Sequence, residues 1–409
     1  MAERLRVALL SYRSKPTCGG QGVYLRHISR ELVALGHHVE VFSGQPYPEL
    51  DEGVILNKIP SLDLYNDDDP FRTPPLKEFR DWIDVLEVAT MWTAGFPEPL
   101  TFSLRAHREL KKRVGDFDVV QDNQTLGYGV LGIQKLFPVV GTIHHPISVD
   151  RRIELKAAKR WKKLSMRRWY GFVRMQAHVA PRLSPILTVS ESSVADIHRD
   201  FNVPQANLRL IPLGVDTRFF HPRPQLPRRR GSIVAVASAD SPMKGVATLL
   251  RAVAKLATER DVNLTVVSRP TPGGPTEKLV TELSLQDRVT FVHGISDEEL
   301  AELIATSEIS VVPSLYEGFS LPAVEHMACG TPLVASRTGA LPEVVGDAAV
   351  QVAPGDPEEL AGALRRLHDS AEERAAVGKR GYDRVMERYA WPVVAQRTVE
   401  AYREAIAAR

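Results

Sequence analysis

Two glutamates eight positions apart, Glu317 and Glu325, bracket the stretch of this chain richest in chemical possibility, P-S-L-Y-E-G-F-S-L-P-A-V-E-H-M-A-C-G from Pro313 to Gly330. The apolar run Ile309 to Val312 feeds it and predicts a buried strand. Ser320 is placed to cap a helix, and Pro322 suits its first turn. Gly330 ends that helix, and Thr331–Ser336 predicts the next strand. One carboxylate then lies on the turn and the other within the helix. Amide N–H groups at the helix start point into the space beside them, which suits an anion carrying hydroxyls, such as a sugar nucleotide.

Other groups could serve the same chemistry. Cys18-Gly19-Gly20-Gln21-Gly22 precedes a predicted helix and would let backbone approach a phosphate. It is not G-x-G-x-x-G, and a plain glycine turn remains its other reading. Lys244-Gly245 follows a predicted strand, so the lysine could offer a point charge to a diphosphate or simply lie in solvent. The spacing is not that of a P-loop. Thr142-Ile143-His144-His145 puts histidine at a strand end, where it can exchange hydrogen bonds with a sugar hydroxyl. No companion residues at ligand spacing accompany the two histidines, so no metal site is expected. Asp67-Asp68-Asp69 lacks a supporting strand and reads as a solvated loop rather than a metal-binding Asp-x-Asp.

A basic stretch is set apart by charge. Residues 151–174 hold ten Lys or Arg against the one acid Glu154. Drawn as one helix, Ile153, Ala157, Trp161, Leu164 and Phe172 share a side, with Trp169 at its edge. Arg160, Lys162, Lys163 and Arg167 lie among the basic residues opposite. Such a surface fits anionic lipid, at about 1 kcal/mol per basic residue. It equally fits a helix packed on its own domain.

These groups need a scaffold. A chain of 409 residues predicts two domains. Its 44% hydrophobic and 25% charged residues are ordinary for a globular protein, and a net charge of +2 gives no general case for nucleic acid. Cys18 and Cys329 form no spaced set, which fits a reducing cytosol. The first residues read as a strand rather than a signal peptide, and no apolar stretch nears the roughly 20 residues of a membrane span.

Apolar runs alternate with amphipathic helical stretches, the pattern of parallel α/β sheets. The first half predicts strands at Leu5–Leu10, Val39–Ser43, Asp118–Gln121, Pro138–Ile143, Ile186–Ser190 and Leu208–Pro212. The second predicts them at Ile233–Ser238, Leu264–Ser268, Val289–His293, Ile309–Pro313, Pro332–Ser336 and Ala348–Val352. His221 to Gly231 reads as a linker, Pro46 to Pro75 as an irregular excursion, and residues 391–406 as a terminal helix. Two doubly wound units would leave a cleft beyond their strand ends, where ligands bind.

Taken in order, these segments resemble the retaining GT-B glycosyltransferases of family 4, also called group 1. The matches are Gly19-Gly20, T-I-H at 142–144, I-L-T-V-S-E-S-S at 186–193, I-P-L-G-V-D-T-R-F-F at 211–220, Lys244-Gly245, E-G-F-S-L-P-A-V-E at 317–325, G-A-L-P-E-V-V at 339–345 and Tyr389-Ala390-Trp391. The resemblance implies two Rossmann-like domains facing across a cleft. Residues 1–212, joined by a crossing helix at about 391–409, would bind acceptor, and residues 213–390 would bind the nucleotide-sugar. It implies metal-independent transfer of a hexose-type sugar with retention, and no cofactor. Glu325 would accept from ribose hydroxyls and Glu317 from those of the donor sugar. Backbone N–H groups of Gly318, Phe319, Ser320 and Leu321 would hold sugar and phosphate. Lys244 would face the diphosphate with Gly19 and Gly20 opposite, and His144 would contact the transferred sugar.

The sequence departs from the family at one point. The family usually has Gly-Arg shortly before the lysine, where this chain has Ser238-Ala239. Arg269, at the end of the following strand, is the expected replacement. A sugar-nucleotide 2-epimerase and a non-catalytic sugar-nucleotide binder are the competing readings. The basic stretch, with Arg160, Trp161, Lys162, Lys163, Arg167 and Trp169, points to a lipid-linked or cell-envelope acceptor. The expected location is the cytoplasm, peripheral at the inner face of the plasma membrane.

Overall fold

The computed structural model describes residues 4–15, 20–66, 68–158 and 162–409. It divides into two compact units, 1–211 with 394–409, and 212–393.

The first unit runs β1 (Arg6–Ser11), α1 (Gly20–Ala34), β2 (His38–Ser43), β3 (Ile55–Lys58), α2 (Trp82–Trp92), α3 (Glu98–Lys111), β4 (Val119–Asn123), α4 (Tyr128–Gln134), β5 (Val139–Ile143), α5 (Ser148–Ala157), α6 (Lys162–Trp169), α7 (Phe172–Val179), β6 (Ile186–Thr188), α8 (Glu191–Phe201) and β7 (Leu208–Leu210). Its sheet is parallel in the order β3-β2-β1-β4-β5-β6-β7. All of β4 and β5 is buried. Helices cover both faces, so these strands are closed to water on either side. The order reverses between β1 and β4, the place where open α/β sheets take ligands. The end of the chain returns to this unit. Tyr402, fully buried, donates its hydroxyl to Gln121 of β4, and Arg209 pairs with Glu404.

The second unit runs β8 (Arg229–Val236), α9 (Val246–Leu256), β9 (Asn263–Val267), α10 (Pro275–Glu282), β10 (Val289–Val292), α11 (Asp297–Ala305), β11 (Ser307–Val312), α12 (Leu321–Ala328), β12 (Leu333–Ser336), α13 (Leu341–Val345), β13 (Val350–Val352), α14 (Pro357–Asp369), α15 (Ala371–Arg388) and the start of α16 (Trp391–Ala407). Its parallel sheet has the order β10-β9-β8-β11-β12-β13. The reversal falls between β8 and β11, the strands that lead to Lys244 and Glu317.

Four local expectations need correction. The excursion Pro46 to Pro75 contains β3, a half-exposed edge strand whose short I-L-N-K pattern is hidden between prolines. The linker run ends inside β8, which starts at Arg229. The basic stretch is not one helix. Extended backbone at Ala158 ends α5, and Gly171 lies between α6 and α7. Ser320 does precede α12, but its backbone is left-handed at φ 84° and its side chain makes no cap bond. A capping residue takes extended backbone, which Ser320 lacks, and its Oγ is buried without a partner among the described residues.

Candidate functional site

In the second unit, β11 runs into the turn carrying Glu317 while the loop after β8 carries Lys244. The two loops are stitched together, with Leu315 N–H donating to the Met243 carbonyl at 2.8 Å. Gly245 has φ 67°, and a Cβ there would lie 1.9 Å from the Pro313 carbonyl oxygen, so only glycine fits. Lys244 Nζ then donates to Glu317 Oε1 at 2.8 Å, and Ser314 Oγ donates to the same oxygen at 2.8 Å. No described residue donates to Oε2 of Glu317.

The segment after β12 supports this turn from behind. Ala340 N–H donates to the Glu317 carbonyl at 2.9 Å. Gly339, at φ 53°, lies so close that a Cβ would stand 2.2 Å from the same carbonyl oxygen. Phe319 is buried edge-on against Tyr389, whose hydroxyl donates to Val344 O at 3.0 Å. Phe319 therefore leaves only backbone for a ligand. The run 339–345 and Tyr389 thus hold the Glu317 turn in shape.

Glu325 lies half-buried on α12. Desolvation, with Asp297 adding repulsion, pushes its carboxyl up to about 7. The neighbouring His326 is fully buried, with neither ring nitrogen bonded to any described residue, and burial lowers its pKa to about 3.

Ala239 stands where the resemblance led to the expectation of an arginine. Its N–H donates to Ser268 Oγ at 2.9 Å, and Asp240 accepts from Thr271 N–H at 2.7 Å. These bonds tie the loop bearing Arg269 to the loop bearing Ala239. Arg269 itself is exposed.

In the first unit, His144 stands just past β5. Gln124, with left-handed backbone at φ 60°, accepts from His144 N–H at 2.9 Å and donates to His145 O at 2.9 Å. His144 Nε2 lies 2.7 Å from Asn123 Oδ1. An amide oxygen can only accept, so Nε2 carries the proton and Nδ1 keeps its lone pair. That Nδ1 is sealed from solvent and unpartnered among the described residues. Desolvation lowers the His144 pKa to about 4. The Tyr24 ring meets it edge-on at 4.5 Å. Beneath them Gln121 donates to Tyr24 and Thr142 and accepts from Tyr402. Gly20 begins α1, and Gly19 lies outside the described residues.

Sequence reasoning missed Asn123, Gln124, Gln121 and Ser314. A signal was present in V-V-Q-D-N-Q at 119–124, a strand whose carboxyl end turns wholly polar while staying buried. Buried polar side chains require partners, and those partners are at the site.

The basic candidates scatter. Arg160 and Trp161 lie outside the described residues. Lys162, Lys163 and Arg167 are on α6, which has no buried residue among those described. Trp169 packs its ring against Phe96 at 5.1 Å and Tyr65 at 5.7 Å, inside the unit's own aromatic cluster. Asp68 and Asp69 are exposed and Asp67 lies outside the described residues. Among the described residues no three His, Cys, Asp or Glu converge as a metal site, and no helix is long and apolar enough to cross a membrane.

Comparison with known proteins agrees with this geometry. Residues 218–384 match the family described as Glycosyl transferases group 1, and residues 18–219 match Glycosyltransferase Family 4. The chain is 58% identical to the MMP alpha-(1->4)-mannosyltransferase of Mycolicibacterium hassiacum, over 98% of this chain and 99% of that one. It is 26% identical to a D-inositol 3-phosphate glycosyltransferase of Thermobispora bispora, over 98% of this chain and 95% of that one. The fold matches sucrose-phosphate synthase from Thermosynechococcus elongatus with a TM-score of 0.71 at 24% identity, covering 99% of this chain and 100% of that one. With two Rossmann-like sheets of this order and a mannosyltransferase relative matched along nearly its whole length, the chain belongs to glycosyltransferase family 4, the group 1 glycosyltransferases.

Proposed function

We propose that this glycosyltransferase moves a mannosyl residue from a nucleoside-diphosphate donor to the 4-hydroxyl of an acceptor sugar, with retention of configuration. The observation that carries the reading is the Lys244–Glu317 contact beside the start of α12, at the strand reversal of the second sheet. The sugar and the position of attack come from the mannosyltransferase relative.

The chemistry follows from charge. The bond between C1 and the phosphate oxygen breaks, leaving positive charge on the sugar and negative charge on the diphosphate. Lys244 and the amides of residues 318–321 stabilise the diphosphate, and Arg269 adds the guanidinium missing at position 239. These protein groups do the work, with no divalent ion required. Glu317 accepts from donor-sugar hydroxyls and Glu325 from the ribose. The acceptor oxygen attacks C1 from the face the phosphate leaves, and its proton passes to the departing phosphate oxygen. Glu317 Oε1, already taken by Lys244 and Ser314, is poorly placed to act as a nucleophile. From the first unit, His144 contacts the transferred sugar, with a ring that stays neutral well below pH 7.

The test is a panel of nucleoside-diphosphate mannoses with and without a mannoside acceptor, followed by NMR of the product. An α-linked disaccharide formed only with acceptor is expected. Conversion of donor alone would reveal an epimerase, and binding without turnover a non-catalytic protein.

A lipid-surface acceptor is the second reading. It is favoured by Leu164, 76% exposed among Lys162, Lys163 and Arg167, and by the exposed stripe Trp82, Val85 and Trp92 on α2. Arg168 reaches from α6 to Thr93 at the end of α2, bringing the two surfaces together. Salt-sensitive binding to anionic vesicles, lost on charge reversal at Lys162, Lys163 and Arg167, is expected; binding that survives those reversals ends this reading.

A further inference from the structure

A concavity of about 490 Å³ opens among α5, α7 and α8 of the first unit. Four guanidinium groups line it, from Arg151, Arg152, Arg174 and Arg199, against the single carboxylate of Asp200. That carboxylate is already engaged by Ser148 Oγ, Arg152 and Arg199. Arg151 and Arg174 have no side-chain hydrogen-bond or ion-pair partner among the described residues, and Nε of Arg151 is shut off from solvent. The acids nearest in sequence are turned elsewhere, Asp150 to His145 and Glu154 to Tyr170.

Like charges gathered in a concavity repel, and a buried N–H without an acceptor is destabilising. An anion among the guanidinium groups would relieve the repulsion. Guanidinium forks match the oxygens of phosphate, and two unpaired cations balance the two charges of a phosphomonoester. Leu155, Val173 and Ala177 give the same cavity an apolar wall for the organic part of such a ligand. We propose that this pocket binds a phosphomonoester. Its occupancy does not depend on the transfer reaction.

Two sources present this chemistry, a soluble sugar or polyol phosphate and the headgroup of phosphatidate. The experiment titrates the full-length protein with inorganic phosphate, then with glycerol 3-phosphate, and then with vesicles containing phosphatidate. A saturating nucleoside diphosphate is present throughout. The double variant Arg151→Gln with Arg174→Gln is expected to bind at least about tenfold more weakly, since each guanidinium supplies a charge-assisted bond. Arg151→Lys with Arg174→Lys, which keeps charge but loses the fork, should fall between the two and serves if the glutamine variant does not fold. Saturable glycerol 3-phosphate binding that needs both arginines assigns a soluble ligand, and binding only to phosphatidate vesicles assigns a lipid one. Equal affinity in wild type and variants overturns the assignment, as does the absence of saturable binding to all three probes.

Discussion

The ammonium of Lys244 donates to Oε1 of Glu317 at 2.8 Å, although the two residues come from loops after different strands, β8 and β11. The contact fixes the lysine beside the start of α12, where a departing diphosphate would gain most from it. Replacing Lys244 with alanine should lower kcat by about 10²–10³, the usual effect of removing one preorganised donor to a developing anion. The lysine side chain is 35% exposed but that of its partner Glu317 only 10%, so a modest fall in melting temperature should accompany the kinetic loss. Steady-state kinetics beside a thermal melt check this, and an unchanged kcat would remove Lys244 from the reaction.

Glu325 supplies a pH test. Its carboxyl is pushed up to about 7, so near neutrality the empty site is divided between protonated and ionised forms. In the proposed donor complex, ribose hydroxyls would donate to the ionised form and lower that pKa. Nucleotide affinity should therefore rise with pH until the carboxyl is fully ionised, then level off. Below about pH 7 it should fall by up to about tenfold per pH unit. Calorimetry between about pH 6 and 8 measures this, and Glu325→Gln should flatten that dependence. A dependence unchanged in the variant would place the titrating group elsewhere.

Much of the scaffold was legible because parallel strands buried on both faces read as apolar runs, and Ile309 to Val312 is one. The edge strand β3 was not, because it buries little and ends in Asn57-Lys58. Glu317 and Lys244 could be picked out as separate residues, but their contact could not, since it depends on the close approach at Gly245. Ser320 misled because capping statistics assume extended backbone at that position, whereas here φ is 84°. Asn123 and Gln124 stayed hidden because amides have no motif; only the fold shows that they converge on His144.

Arg269 is the expected substitute for the arginine absent at position 239. The bonds from Ala239 to Ser268 and from Asp240 to Thr271 tie its loop to the loop bearing Ala239. Arg269→Ala should weaken nucleoside-diphosphate binding by about tenfold or more, the loss of one charge-assisted contact, with little effect on the nucleoside alone. Equal diphosphate affinity in variant and wild type would eliminate it.

Tyr402 offers a stability test. Its hydroxyl bonds Gln121 in a fully buried network that also holds Tyr24 and Thr142. Tyr402→Phe leaves the Gln121 oxygen without that donor and should destabilise the protein by about 1–3 kcal/mol. Chemical denaturation measures the difference, and a change within error would mean that water replaces the bond.

The contact between Asn123 and His144 makes the last prediction, about a proton. Asn123 Oδ1 at 2.7 Å holds the imidazole as the Nε2–H form, while burial keeps its pKa near 4. Asn123→Asp preserves size and the accepting oxygen but adds negative charge beside the ring. That charge favours the imidazolium, so the His144 pKa should rise. The newly bound proton would occupy Nδ1, a buried atom without a partner among the described residues, and would turn the neutral ring into a cation beside the sugar. The acid limb of the kcat/KM profile should therefore move to higher pH, with activity well above that limb largely kept. Asn123→Leu should instead lose activity across the whole range, because Nε2–H loses its acceptor and the ring its fixed orientation. Nitrogen NMR of the ring in the unliganded protein reports tautomer and pKa directly, whatever the reaction. A wild-type ring protonated at Nδ1 would refute Asn123 as the positioning residue, and an unmoved acid limb despite a raised pKa would remove His144 from the reaction.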